Sequence, residues 1–61
     1  MKRRDFLSYL QKYGCELLRE GGSHSVYINV SIKESSTVPR HNEINDLLIK
    51  KICKDLDIPK P

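Results

Sequence analysis

Tryptophan is absent from this 61-residue chain, and phenylalanine and methionine occur once each. Bulky core-filling side chains are scarce, so the interior must be assembled from aliphatic residues and three tyrosines. No apolar run approaches the roughly 20 residues that a bilayer span requires. The basic start, Met1-Lys2-Arg3-Arg4-Asp5, is not followed by an apolar stretch of signal-peptide length. These absences predict a cytoplasmic protein with no membrane attachment. The two cysteines, Cys15 and Cys53, are too few for a disulfide framework and lie in no metal-ligand spacing. They read as reduced packing residues, and no metal or cofactor is expected. Phosphate-cradling and dinucleotide-binding glycine patterns are also missing. Ser23, His24 and Ser25 are neighbours in sequence, which is not how a nucleophile, a base and its orienting group converge.

What remains is a single domain, residues 1–61. A chain of this length buries only about 60% of the surface it exposes when unfolded. Its core is thin, and any chemistry must take place on a surface or in a shallow groove. Eleven Lys and Arg against eight Asp and Glu give a net charge of +3, a balance compatible with a polyanionic partner.

Phe6, Tyr9, Leu10 and Tyr13 recur at helical spacing between Arg3 and Tyr13, and Gly14 stops that helix. Cys15 to Glu20 reads as a first strand. Gly21-Gly22 then provides a tight turn in which positive φ costs nothing. In the clearest strand, Ser23 to Val30, the apolar residues Val26, Ile28 and Val30 alternate. Ser31 to Ser36 is polar enough for a loop, and Thr37-Val38 makes a minimal third strand that Pro39 ends. After a polar connector, Asn45 caps a second helix whose apolar stripe is Ile49, Ile52, Cys53 and Leu56. The expected architecture is α+β, in the order α-β-β-β-α. A three-stranded antiparallel sheet carries both helices on one face.

His24 follows the glycine pair, at a rim where an imidazole can move protons near neutral pH. Strict alternation places it on the side of Val26 and Ile28. A bland reading, a half-buried histidine beside a turn, stands next to the catalytic one. His41 is a weaker second candidate. Lys50, Lys51 and Lys54 cluster opposite the apolar stripe of the second helix, with no carboxylate among them. This ridge could follow phosphates, or it could simply be a solvated face. Lys2, Arg3 and Arg4 add charge at the start of the first helix, and sequence does not say whether the two basic groups share a face. Tyr9 and Tyr13 fall on the helical core face, whereas Tyr27 alternates away from Val26 and is the better base-stacking candidate.

Four segments carry a resemblance. They are Lys2-Arg3-Arg4-Asp5 with Leu10 and Gly14, Leu17-Leu18-Arg19-Glu20-Gly21-Gly22-Ser23-His24, Thr37-Val38-Pro39-Arg40-His41, and Ile49-Lys50-Lys51-Ile52 through Leu56. Together, from Arg3 to Ile58, the chain resembles the HicA toxins, small mRNA interferases of toxin–antitoxin pairs. The resemblance implies a double-stranded-RNA-binding-domain-like fold and metal-independent endoribonuclease activity, with His24 as general acid/base. It also implies neutralisation by a HicB-like antitoxin. Residues expected at the RNA are Gly22, Ser23, Arg19, Tyr27, Lys50, Lys51 and Lys54, and the free toxin is expected to be a monomer. Many members have a second histidine where this chain has Ser25, an aromatic residue at Cys15 and a glycine at Leu47. The alternatives are a non-enzymatic RNA-binding module of the same fold and a decayed toxin that serves only as a protein-interaction partner.

Overall fold

The computed structural model describes residues 1–61. The elements are α1 (Arg3–Lys12), β1 (Cys15–Glu20), β2 (His24–Asn29), β3 (Glu34–Pro39) and α2 (Asp46–Asp55). The strands form an antiparallel meander with β2 in the centre. This is the expected α+β, double-stranded-RNA-binding-domain-like arrangement. No helix is long and apolar enough to cross a membrane.

Each helix end has a local cause. Gly14, at φ 80°, takes the left-handed conformation that ends α1. The Asn45 side chain accepts the Leu48 N–H at 2.9 Å and so caps α2. Beyond α2, Asp57 turns the chain at φ 55°. The start of α1 lacks a side-chain cap. Instead Arg3 N–H donates to the Asn42 carbonyl at 2.8 Å and Ile44 N–H donates to the Met1 carbonyl at 2.9 Å, so residues 1–3 run beside 42–44.

β3 is longer than the sequence suggests. Local composition favours a loop over Ser31–Ser36, yet the strand begins at Glu34, and only a tight turn separates it from β2. Serine is a poor strand former alone, but here pairing decides: Ser35 and Ser36 sit opposite Ile28 and Tyr27 in unbroken register. The Asn29 carbonyl accepts the N–H groups of Ile32 and Lys33, and its side chain accepts that of Ser31, which closes the turn.

Both helices cover one face of the sheet. On that face lie Cys15, Leu17, Ser25, Tyr27, Asn29, Ser36 and Val38, as register and hydrogen bonding to the helices show. The core consists of Phe6, Leu10, Cys15, Val38, Ile44, Ile49, Ile52, Cys53 and Leu56. The central strand therefore turns its polar residues inward. Ser25 and Asn29 are buried, while Val26 and Ile28 sit half-buried on the open face. Every buried side-chain polar atom has a partner. Asn29 Nδ2 donates to the Leu56 carbonyl at 2.8 Å, and Ser36 Oγ donates to Asp55 at 2.9 Å.

Burial pushes both thiols, Cys15 and Cys53, upward in pKa, which keeps them neutral as packing groups. Tyr9 packs against the core, and its hydroxyl donates to the Pro59 carbonyl. Tyr13 departs from the expected core position. It is exposed at the C-cap of α1, tilted against Tyr9 with ring centroids 4.8 Å apart.

With so thin a core, Phe6→Ala should cost about 3–5 kcal/mol, enough to leave most of the chain unfolded in a urea titration. Asn45→Ala should cost about 1 kcal/mol and lower the urea midpoint while leaving the slope unchanged.

Candidate functional site

The β1–β2 hairpin presents His24. Register pairs Glu20 with Ser25, and Gly21 N–H donates to the His24 carbonyl at 2.7 Å to close the turn. The expectation of positive φ at Gly21-Gly22 is not met, since Gly14 is the one glycine in that region of backbone space. The two glycines instead matter through space. A Cβ on Gly21 would stand 3.1 Å from the His24 carbonyl oxygen, whereas one on Gly22 would meet nothing within 4 Å. Gly21 allows the hairpin to close, and Gly22 leaves open room beside it.

His24 is exposed. It does lie on the side of Val26 and Ile28, but that side faces away from the helices, so nothing covers the ring. Arg19 shares this open face. A bulge between Leu17 and Arg19 shifts the register so that Arg19 sits opposite Val26, diagonal to His24. Ser23 is exposed in the turn itself.

Beneath the hairpin runs a chain of polar contacts that ties it to α1 and to the end of β3. Arg3 donates from Nε to the Pro39 carbonyl and from Nη2 to Ser25 Oγ, both at 2.9 Å. Ser25 Oγ donates onward to Glu20 Oε1. Arg40 Nη2 donates to the same carboxylate oxygen and to the Gly21 carbonyl, each at 2.9 Å. The Ser25 hydrogen bond, with help from the Arg40 and Arg3 charges, holds the Glu20 carboxyl below its ordinary pKa. Sequence reasoning assigned Arg3, Glu20 and Arg40 no part in the site. Only the strand register, which pairs His24 with Pro39 and brings Arg40 to the hairpin, reveals them. His41 follows Arg40 and is exposed at this same end of the sheet.

Two expectations change. Tyr27 faces the helices, not the open side, and packs against the core beside Leu7, Cys15 and Leu17. Its neighbours across the sheet, Leu17 and Ser36, lie on the helix-covered face. A ring held there is out of reach for stacking with RNA on the His24 face. The lysine ridge also has a carboxylate within it: Lys51 Nζ pairs with Asp55 at 2.9 Å. Together with Ser36, Lys51 lowers the Asp55 pKa.

Lys50 and Lys54 are exposed without ion-pair partners. They lie on the helix layer, and the C-terminal end of α2 meets Asn29, at the opposite end of β2 from His24. That end of the strand is roughly 16 Å away at 3.3 Å per residue. The fold therefore gathers His24, Gly22, Ser23 and Arg19 at one end and does not bring the α2 lysines to them.

Glu20 and Asp55 both have folded-state pKa values below their unfolded ones, so their stabilising contribution is complete above the unfolded carboxylate range, about pH 4. It is lost as pH falls through the depressed folded values. Urea midpoints measured against pH should hold level down to that range and then drop. Glu20→Gln should lower the neutral-pH midpoint and flatten the acid limb. Gly21→Ala should cost roughly 1 kcal/mol in the same assay, while Gly22→Ala should stay within about 0.5 kcal/mol of the parent.

Residues 3–58 match the family model described as HicA toxin of bacterial toxin–antitoxin. No curated protein and no solved structure matches the chain. With a family match over nearly its whole length and the α-β-β-β-α fold in place, the chain belongs to the HicA toxin family.

Proposed function

We propose that this toxin is a metal-independent endoribonuclease that cleaves mRNA, with His24 as its general acid/base. The observation that carries the reading is an uncovered imidazole on the open face of the sheet, beside a glycine with free space around it. RNA carries an internal nucleophile, the 2′-hydroxyl, next to each phosphodiester. A group that takes the 2′-hydroxyl proton lets that oxygen attack phosphorus, and a group that returns a proton to the departing 5′-oxygen completes the cleavage. His24 performs one of these transfers. His41 or water performs the other.

Arg19, on the same face, supplies positive charge to the phosphate. Gly22 and Ser23 admit the backbone to the hairpin, since no Cβ at position 22 stands in the way. Lys50, Lys51 and Lys54 contribute at longer range, as part of the field that attracts the polyanion.

The partner of the toxin is a HicB-like antitoxin in the cytoplasm. Half-buried Val26 and Ile28, with exposed Thr37 opposite Val26, form a mildly apolar strip next to His24. A protein seated on that strip would cover the imidazole and keep RNA away.

His24→Ala should reduce cleavage of a single-stranded oligoribonucleotide by about 10²–10⁴-fold, with an unchanged circular-dichroism spectrum and melting temperature. A substrate carrying a 2′-deoxy nucleotide at the scissile position should resist the parent protein. Undiminished cleavage by the variant would remove His24 from the mechanism.

A further inference from the structure

At the same end of the molecule as the His24 hairpin, Lys2, Arg3, Arg4 and Asn42 line a concavity of about 260 Å³ with no apolar residue in its wall. Arg3 is committed to the fold through Pro39 and Ser25. Lys2 and Arg4 are not. Lys2 Nζ stands 3.9 Å from Glu43, and Arg4 Nε stands 3.9 Å from Asp5, both at well-exposed positions where such pairs contribute little. Their charged heads are free to meet another anion.

The backbone around them is fixed. Arg3 N–H donates to the Asn42 carbonyl, and Lys2 bridges Glu43 as an antiparallel pair. The wall of the concavity is also joined to the hairpin. Pro39, the register partner of His24, is held by Arg3 and lies three residues before Asn42, at most about 11 Å of extended chain. Arg40, between them, reaches back to Gly21. An extended polyanion lying across the His24 turn would therefore meet the Lys2 and Arg4 heads next. The α2 helix instead carries its lysines toward the end of the sheet where Leu56 meets Asn29.

Resting on the nuclease reading above, we propose that the Lys2–Arg4–Asn42 concavity is a phosphate subsite for single-stranded RNA. It holds a backbone phosphate flanking the one cleaved at His24. Two cationic heads and a neutral amide suit a phosphodiester, which offers negative charge and acceptor oxygens but no donor. Arg3 acts as a positioning residue, setting the distance between this subsite and the hairpin.

The test uses the full chain carrying His24→Ala and a fluorescent single-stranded oligoribonucleotide, with anisotropy titrations over a range of KCl concentrations. Adding Lys2→Gln and Arg4→Gln should weaken binding about tenfold and flatten the log–log salt slope by roughly 0.7 for each phosphate no longer neutralised. Adding Lys50→Gln and Lys54→Gln should weaken it less. In the background with His24 intact, Lys2→Gln/Arg4→Gln should raise the KM for RNA cleavage and spare kcat.

Unchanged affinity and slope in a variant that melts like the parent would overturn the subsite, as would an equal weakening from the α2 pair. Weakened antitoxin binding with RNA binding intact would also overturn it and assign the concavity to the protein partner. Should His24→Ala cleave as well as the parent, His24 leaves the mechanism, and should the parent itself not cleave, the nuclease reading falls; in either case the titrations still decide where RNA is held.

Discussion

A single guanidinium joins three elements of this small fold. Arg3 belongs to α1, yet its side chain donates to the Pro39 carbonyl at the end of β3 and to the Ser25 hydroxyl near the start of β2. Lysine could not substitute, because a single ammonium lacks the planar fork that reaches two acceptors on different strands. From Ser25 the contacts run on to Glu20 and Arg40, so the hairpin bearing His24 is held from below and from the side. A chain with nine buried apolar residues has little packing to spare for a loop. Here hydrogen bonds that involve charged groups, roughly twice as strong as neutral ones, hold the turn where core side chains cannot reach.

The same economy explains why the open face is open. Sixty-one residues supply two helices of ten residues each, enough to cover one side of three short strands. The other side carries His24, Arg19, Val26, Ile28 and Thr37 with no layer above them. That side stays open, and His24 is exposed because neither helix covers it.

Element order, both helices, the first hairpin and the Asn45 cap were legible in the sequence, because helical spacing, glycine stops and capping chemistry are local signals. The face of β2 was not. Alternation shows that Val26 and Ile28 share a side, but it does not say which side meets the helices. Apolar content would choose Val26 and Ile28 for the core. The structure chooses Ser25, Tyr27 and Asn29, since each end residue finds a distant partner: Arg3 for Ser25, the Leu56 carbonyl for Asn29. Those partners are up to 27 residues away in sequence, beyond any window of local pattern. The inversion frees His24 and takes Tyr27 out of reach of the His24 face. The length of β3 was hidden for a related reason, because its serines become strand through pairing with β2 and not through their own preference.

Ser25 stands where many HicA proteins carry a second histidine, and its place in the fold bears on what that difference means. Successive side chains on a strand point to opposite faces. With His24 on the open side, position 25 is directed into the layer beneath, where Ser25 is fully buried between Arg3 and Glu20. An imidazole there would not lie beside the His24 ring. It would sit among the groups that hold the hairpin, and its charge state would act on Arg3 and Glu20. A hydroxyl, which accepts from one and donates to the other, does this work without titrating. The difference at position 25 therefore concerns how the hairpin is anchored, while the proton-transfer chemistry proposed for the open face depends on His24 and on what approaches it from solvent.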